Sequence, residues 1–357
     1  MADGVGTLLD CLLGRAVLPD DEAACDRLFC MADRHHVLAA LALAVQDRRD
    51  GKRADILANA TVPAEADRRM LKFEINRLER ALYGLDIRPV LLKGGAYVAL
   101  DLAVARGRRV SDLDILIEKS CLPDFEKALH AAGWRPDEKT DNAYDRAYYR
   151  NWMHELPPLR HRNRKTLMDV HHALIPPTAR HQLDTAGMIA GSVPIPGSGL
   201  RALNMVDLFI HSATHALADG EFATPLRSLL ELDALFTALG PSGRGAVPGR
   251  LKQVGGAMAV TTAMWILARR PGRQHARELY ETLRKQDMHP ALLLTRWAMM
   301  VVLTEAPFYR LARFFLWARG HWLRMPLPLL IRHALAKGWV SLSAFLTRKR
   351  QRDVSAP

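Results

Sequence analysis

The most constraining feature of this 357-residue sequence is the apolar segment LLKGGAYVALDLAVARGRRVSDLDILI, which carries Asp112 and Asp114 two residues apart. Residues i and i+2 of a β-strand point to the same face, so both carboxylates would project side by side from one strand. Burying unpaired carboxylates costs several kcal/mol, and these two would also repel each other. The pattern therefore predicts a cation close to both side chains.

The patterns around this segment predict alternating strands and helices. RPVLLKGG indicates a buried strand that ends in a tight turn at Gly94 and Gly95, and AYVALDLAVA fits a helix of about three turns. SDLDILIEK is the next predicted strand, and CLPDFEKALHAAGW is a helix ended by Gly133. Further strand candidates follow at about 143–152 and at 166–172. This alternation indicates an α/β layer.

The segments on both sides of this layer show helical periodicity. CDRLFCMADRHHVLAALALAVQ and AEADRRMLKFEINRLERALYGLDI precede it, and from about residue 200 the pattern is helical only. One long helix is predicted over RLKQVGGAMAVTTAMWILAR, and Gly/Pro-rich turns separate the helices. We therefore divide the chain into a helical segment (1–86), an α/β core (87–195), a helical domain (196–305) and a basic, aromatic-rich tail (306–357).

The paired carboxylates suggest a metal-assisted reaction. Carboxylates with room for water and phosphate oxygens are the usual ligands of Mg²⁺. Two such ions can activate an attacking oxygen and stabilise a leaving one in phosphoryl-type displacement. A third acid on a neighbouring strand would complete the site, and Asp169 in TLMDVHH is our candidate. Glu155 and Asp145 are the alternatives if the strand register differs.

The glycine pair suggests where phosphates would bind. A glycine turn between a strand and a helix lets backbone N–H groups approach a phosphate, and the helix N-terminus adds positive potential. Gly94 and Gly95 occupy such a position, with one predicted helix between them and Asp112.

This order of strand, Gly-Gly, helix, DxD strand and later acidic strand resembles the nucleotidyltransferase superfamily of DNA polymerase β type. The wording LLKGGAYVAL followed by RRVSDLDILI more closely resembles the bacterial family of uncharacterised nucleotidyltransferases. The resemblance covers roughly residues 20–240 and extends to a His-rich helical C-terminal half. It implies an α+β fold, with a polymerase-β-type nucleotidyltransferase core, a helical N-terminal segment and an all-helical C-terminal half.

The resemblance also implies roles for individual residues. Asp112, Asp114 and Asp169 would be catalytic residues and the Mg²⁺ ligands, with Asp169 also helping to deprotonate the acceptor. Gly94 and Gly95 would hold the triphosphate. The superfamily often has Gly-Ser where this chain has Gly-Gly, so other side chains would replace the serine contact. The remaining expected nucleotide-binding residues are Lys93, Arg108 and Ser111, where the Arg108 guanidinium would offset triphosphate charge.

The implied reaction is Mg²⁺-dependent transfer of a nucleotide monophosphate from an NTP, ATP among them, to an acceptor hydroxyl, with release of pyrophosphate. The sequence does not identify the acceptor, which the resemblance suggests is a small molecule, glycan, peptide or lipid-linked group. Two alternatives remain open. One is a toxin-like enzyme that modifies tRNA, and the other is a non-catalytic nucleotide-binding scaffold with the same fold.

Several histidines have spacings that bear on the site. His211 and His215 form HxxxH on a predicted helix, a spacing that can bind zinc, although no third ligand is evident and core histidines have the same spacing. The resemblance suggests that His215, Arg227 and Asp233 line the acceptor side. His171 shares the strand face of the third acid and would also lie near the acceptor.

Positive charge is concentrated in the tail. The net charge is +12, and residues 306–352 hold ten Lys/Arg and no acid, so the remainder carries about +2. The same stretch contains eight aromatic residues. A helix packed on the domain, an amphipathic segment on an anionic membrane surface and stacking on RNA are the three interpretations.

The cysteines and the N-terminus bear on the compartment. Four cysteines without a CxxC pair suggest buried thiols in a reducing cytoplasm. The first residues include acids and no basic region, so no signal peptide is expected. We predict a cytoplasmic protein, with peripheral contact at the inner face of the membrane as a further expectation.

Overall fold

A computed structural model describes residues 2–45, 51–137, 148–149, 152–164, 166–217, 222, 224–286 and 291–332. Of the strand predicted at 143–152, only residues 148, 149 and 152 are described, and they are helical. Asp145 and the tail beyond residue 332 lie outside the described residues. The described chain forms one mixed sheet with helices before and after it. The division of the chain into four regions stays a prediction.

The N-terminal segment is helical, as predicted. It contains α1 (Ala2–Leu12), α2 (Glu22–Arg34), α3 (Leu38–Ala44) and the long α4 (Lys52–Ala81). The start of α2 is stabilised by the Asp21 side chain, which accepts a hydrogen bond from the backbone N–H of Ala24 at 2.7 Å. These helices bury apolar side chains at helical spacing, and this buried face is what the sequence periodicity indicated.

Seven strands form the sheet. They are β1 (Val90–Leu91), β2 (Asp112–Leu116), β3 (Trp134–Pro136), β4 (Leu159–His161), β5 (Leu167–His171), β6 (Val193–Pro194) and β7 (Arg201–Ala202). Their order is β3-β4-β5-β2-β1-β7-β6, with β2 parallel to β5, β1 parallel to β7 and the other pairs antiparallel. The two predicted strands that carry the acids are confirmed, and this mixed sheet with its helical flanks confirms the predicted α+β class.

The centre of the sheet has one apolar face. Leu113 and Ile115 of β2 and Met168 and Val170 of β5 are completely buried. Because side chains alternate along a strand, the polar residues between them project from the opposite face. Two adjacent parallel strands therefore hold acids over a closely packed apolar layer.

The prediction for the glycine pair was wrong in detail. Helix α5 (Lys93–Ala99) begins directly after β1, so Gly94 and Gly95 lie in its first turn, and the helix has only seven residues. Both glycines are buried at close contacts. A Cβ on Gly94 would lie 2.5 Å from Nη1 of Arg108, and one on Gly95 would lie 2.8 Å from Cδ1 of Leu113. The glycines therefore allow α5 to approach β2 and the loop before it.

Short helices complete the core. A 3₁₀ turn (Ala103–Ala105) follows α5, a second one (Lys119–Cys121) follows β2, and α6 spans Leu122–Ala131. Helix α7 (Thr185–Ala190) precedes β6. The four cysteines, all within the described residues, form no disulfide.

Strand β7 falls just inside the region predicted to be helical only, and beyond it every element that the described residues form is a helix. These helices are α8 (Met205–Leu217), α9 (Pro225–Ala238), α10 (Gly240–Val254), α11 (Ala257–Leu267), α12 (Gln274–Leu283), α13 (Ala291–Leu303) and α14 (Tyr309–Arg324), with a 3₁₀ turn at Arg284–Gln286.

The single helix predicted over RLKQVGGAMAVTTAMWILAR was wrong. The chain breaks at Gly255 and Gly256, which have φ values of 85° and 86°. A Cβ on Gly255 would also collide with the carbonyl oxygen of Gln182. Conversely, the Gly/Pro-rich stretch before it, which the sequence indicated as a turn, forms most of α10 and includes Pro248. Tertiary contacts outweigh local propensity at both places.

The described part of the tail packs on the rest of the protein. Ala312, Leu316 and Gly320 of α14 are buried, and the Leu323 carbonyl accepts a hydrogen bond from the backbone N–H of Arg180 at 2.8 Å. The packed-helix interpretation therefore holds as far as residue 332. None of the helices in the described ranges combines the length and the hydropathy that a membrane span needs.

Candidate active site

Three acids project from one face of the sheet. Strands β2 and β5 run parallel, and their register places Asp114 directly opposite Asp169. Asp112, two residues before Asp114, shares that face. The structure therefore brings together the three carboxylates that the sequence selected, although 55 residues separate Asp169 from Asp114.

Lys93 places a positive charge next to the paired acids. Its Nζ donates to Oδ1 of Asp114 at 2.8 Å, and the two side chains are 19% and 5% exposed. Nε2 of His171 lies 3.2 Å from the same oxygen. Burial opposes ionisation of Asp114, but Lys93 and His171 outweigh it and hold the pKa of that carboxyl well below its usual range. Asp114 is therefore ionised.

For Asp112 and Asp169, nearby positive charges do not outweigh the effect of burial on the pKa. Burial and then the charge of Asp114 raise the pKa of Asp112. Burial, followed by the charges of Asp114 and Glu155, raises the pKa of Asp169 to about 7. Carboxylates that oppose one another's ionisation, in a set of oxygen ligands, are suited to a divalent cation such as Mg²⁺. The residues present thus fit the ion that the sequence predicted.

Glu155, the alternative third acid, also lies beside this face. Its backbone forms an isolated antiparallel bridge with His171, and its Oε2 is 3.5 Å from Nδ1 of His171. Within the described ranges, His154, Glu155 and His171 are the one group of three potential metal ligands whose atoms all lie within 4.8 Å of one another. His171 therefore connects the aspartate face to a second cluster.

A buried polar network borders the site on the α9 side. Nε of Arg108 donates to Oε1 of Glu231 at 2.8 Å, and Nε of Arg227 donates to the same oxygen at 2.9 Å. The Arg108 guanidinium also lies over the ring of Tyr97, whose hydroxyl is 2.7 Å from Oγ of Ser212. Despite burial, Glu231 raises the pKa of Arg108, so this guanidinium stays charged.

Two cavities meet at this network. The smaller, of about 140 Å³, contains part of the predicted site. It is lined by Lys93, Tyr97, Arg108, Asp112, Asp114, Ser212, His215, Ala216, Thr224, Arg227, Ser228, Glu231 and Leu232. The larger, of about 740 Å³, is lined by Ser111 on one side and by Met70 and Phe73 of α4 on the other. Thr224 and Arg227 line both cavities, so the two are adjacent.

The residues that the histidine predictions selected lie in different surroundings. His211 is buried, and burial followed by the charges of His215 and Lys93 places its pKa well below the usual range. The rings of His211 and His215 stack with centroids 6.3 Å apart, and neither belongs to the three-ligand group found among the described residues. His215 lines the smaller cavity, whereas Asp233 forms a buried ion pair with Arg270.

Sequence reasoning missed several residues of this region. Glu231 and Ser212 were not selected, and His154 was not considered. The i, i+4 spacing of Arg227 and Glu231 on a helix was the available signal for Glu231. No local pattern indicated Ser212 or His154, because only the packing of α8 and of the segment before β4 brings them to the sheet.

The comparisons with known proteins bear on the family. Residues 21–271, which are 251 of the 357, match the family described as "Uncharacterised nucleotidyltransferase". No curated protein matches the chain. A similar solved structure is the solution structure of the antibiotic-resistance factor ANT(2'')-Ia, with 16% identity and a TM-score of 0.36. That similarity covers 52% of this chain and 93% of the other.

The family match covers more than half of the chain and includes α5, β2 and β5 with the three aspartates. The family predicted from the LKGG and DLDIL motifs is therefore confirmed. The chain belongs to the uncharacterised nucleotidyltransferase family and is a transferase.

Proposed function

We propose that this protein transfers a nucleoside monophosphate from an NTP to an acceptor hydroxyl and releases pyrophosphate. The observation that carries this proposal is the register of β2 and β5, which places Asp114 opposite Asp169 with Asp112 on the same face. Three carboxylates at one point of a sheet, next to a buried lysine and arginine, suit a triphosphate and its counterions. A scaffold protein would not need this arrangement.

Asp112, Asp114 and Asp169 would hold Mg²⁺ together with the phosphates. When bound, the ion supplies charge neutralisation at the reacting phosphate and at the leaving oxygen. The protein contributes the rigid placement of the three carboxylates. Leu113 and Met168, completely buried behind them, fix both strands.

Asp169 is our candidate for the proton acceptor. It lies on β5 directly opposite Asp114, so an acceptor hydroxyl bound at the aspartate face would be within reach of its carboxylate. The acceptor oxygen would form a bond to the α-phosphorus as the bond from that phosphorus to the bridging oxygen of pyrophosphate breaks. The hydroxyl proton would pass to Asp169, and the electron pair of the broken bond would leave with pyrophosphate.

The triphosphate would lie over the first turn of α5. The first N–H groups of a helix have no partner within the helix, and here they belong to Lys93, Gly94 and Gly95. Arg108, buried beside Gly94, adds a fixed positive charge. Ser111 is exposed and lines the larger cavity, so it could contact the nucleotide there.

The larger cavity is our candidate for the nucleoside. At about 740 Å³ it falls within the usual range for small-molecule sites, and Met70 and Phe73 supply apolar surface for a base. ATP is one candidate among the four NTPs. The acceptor, whether a small molecule, glycan, peptide or lipid-linked group, would approach from the side of Asp169.

We also propose that a cytoplasmic enzyme of this kind contacts an anionic membrane surface through α14. On the face away from the protein, Phe314 is 63% exposed, Trp317 is 46% exposed, and their rings stack. Arg310 and Arg313 are exposed on the same helix. Exposed aromatics next to basic residues suit the interface of an anionic bilayer.

The decisive experiment is incubation with each α-labelled NTP, Mg²⁺ and a cell extract, followed by separation of RNA, protein, lipid and small molecules. Label should appear in one non-RNA fraction with wild type and be absent with Asp112→Asn. Label in tRNA would establish the toxin-like alternative instead. If no fraction is labelled while NTP still binds, the scaffold alternative is correct.

A further inference from the structure

A second group of potential ligands lies beside the aspartate face. Nitrogen and oxygen atoms of His154, Glu155 and His171 all lie within 4.8 Å of one another. The rings of the two histidines have centroids 5.3 Å apart. Two imidazoles and one carboxylate form a set that binds zinc and related transition metals, in contrast to the all-oxygen sites of Mg²⁺.

The hydrogen bond from His171 to Asp114 determines which ring nitrogen is available. An ionised carboxylate can only accept hydrogen bonds, so Nε2 of His171, 3.2 Å from Oδ1 of Asp114, must carry the proton. Nδ1 is then the ring nitrogen that faces Oε2 of Glu155, 3.5 Å away. A metal ion between these two atoms would be bound by both.

The third member of the group, His154, places a further ring nitrogen at the same point, which favours a metal ion. A histidine ligand whose other nitrogen donates to a carboxylate is also the usual arrangement in metal sites, because the carboxylate orients the ring.

The backbone holds this group rigidly. The carbonyl of His154 accepts hydrogen bonds from the N–H groups of His172, at 2.8 Å, and Ala173, at 3.1 Å. The N–H of Leu156 donates to the carbonyl of Val170 at 2.8 Å. The segment that carries His154 and Glu155 is thus fastened to the end of β5, which carries His171.

The distances permit occupation after a small movement. Ligands of tetrahedral zinc lie about 3.3 Å apart, since each bond is about 2.0–2.1 Å. Separations of up to 4.8 Å must therefore close by about 1.5 Å. Oε2 of Glu155 and Nδ1 of His171 are already 3.5 Å apart, so this movement falls on His154, whose side chain is only partly buried and can rotate.

We propose that His154, Glu155 and His171 bind one divalent transition-metal ion of the zinc type, with ligands other than the three aspartates. The ion would have three protein ligands and one position open to water or another ligand. Through His171 it would be coupled to Asp114. The proposal does not depend on nucleotidyl transfer.

The test uses the full-length protein, stripped with a chelator and titrated with Co²⁺, whose visible absorption reports the ligand geometry. We expect wild type to bind one Co²⁺, displaced by Zn²⁺ and not by Mg²⁺. His154→Gln and Glu155→Gln should weaken Co²⁺ binding by about tenfold or more. His172→Gln is the matched control, because its side chain is outside the group.

Asp112→Asn locates the ion, since it alters the aspartate face alone and should leave Co²⁺ binding unchanged. Circular dichroism and thermal unfolding would show that each variant is folded. The proposal is wrong if wild type shows no saturable Co²⁺ absorption. It is equally wrong if the two ligand variants bind like wild type, or if Asp112→Asn alone abolishes binding.

Discussion

Oδ1 of Asp114 accepts a hydrogen bond from Nζ of Lys93 at 2.8 Å, and Lys93 holds a left-handed backbone conformation with φ of 44°. A lysine rarely adopts this conformation, which costs about 1–3 kcal/mol. The buried ion pair is one interaction that offsets this cost. It connects the start of α5, where a triphosphate would bind, to the central carboxylate of the sheet.

Substitutions of the two acids in the DLDIL strand should therefore differ in their effect on stability but not in their effect on activity. Asp114→Asn leaves the Lys93 charge buried without its counterion and should lower the free energy of unfolding by about 3 kcal/mol. Asp112→Asn should be nearly neutral, because it relieves repulsion with Asp114. Both variants should lose nucleotidyl transfer. Chemical denaturation and the labelled-NTP assay would measure these effects, and equal stability of the two variants would contradict the assigned role of Lys93.

Asp169 can be separated from NTP binding. If it accepts the proton of the acceptor, Asp169→Asn should reduce turnover by about 10²-fold or more. NTP affinity should persist through Asp112, Asp114 and the first turn of α5. Calorimetric titration with a non-hydrolysable NTP, compared with single-turnover rates, distinguishes the two effects. Loss of binding together with loss of fold would indicate a structural acid and make Glu155 the better candidate.

Gly94 should tolerate no side chain. In Gly94→Ala the new methyl group would displace the Arg108 guanidinium and contact Val110, whose Cγ1 would be 3.0 Å away. We expect a loss of about 1–3 kcal/mol in unfolding free energy and weaker NTP binding, because Arg108 can no longer pair with Glu231. Gly249→Ala is the control, since Gly249 lies in α10 with open space around it. That variant should be neutral or slightly stabilised.

The pH dependence of stability should include a contribution from His161. Burial lowers the pKa of this histidine, and its Nδ1 accepts a hydrogen bond from the backbone N–H of Asn163 at 3.1 Å. A depressed pKa contributes stability that is present above the unfolded value of about 6.5 and is lost as pH falls below it.

His161→Gln should therefore reduce the slope of unfolding free energy against pH between pH 7 and 5, by up to about 1.4 kcal/mol per unit. Urea denaturation across this range would measure the slope. His275→Gln, on an exposed ring, is the comparison. An unchanged slope in His161→Gln would show that folding does not lower the pKa of this ring.

Membrane contact should depend on the outward face of α14. We expect the protein to sediment with anionic vesicles at low salt and to be partly released at high salt, because each basic residue contributes about 1 kcal/mol that salt screens. Phe314→Ser combined with Trp317→Ser should remove the salt-resistant part. Tyr83→Ser, which alters a 92% exposed aromatic outside α14, should change nothing. Equal sedimentation of the two variants would exclude α14 as the contact.

The sequence by itself was sufficient to predict the family and the fold class and to select the three acids of the candidate site. Asp112 and Asp114 were recognisable because their spacing matches the two-residue period of a strand, and Asp169 because it is a single acid in an apolar run. These signals lie within short stretches of the sequence, so they can be recognised without knowledge of the fold.

Only the tertiary structure decided how these charges are compensated. Lys93 was expected to bind phosphate, and its pairing with Asp114 depends on where α5 packs against β2. Glu231 meets Arg108 from a helix 123 residues later in the chain, and His154 meets His171 through a segment with no strand pattern. Gly255 ends a helix because a distant carbonyl leaves no room for a side chain. Contacts between residues far apart in sequence have no local signature, and for this reason they had to be read from the packed molecule.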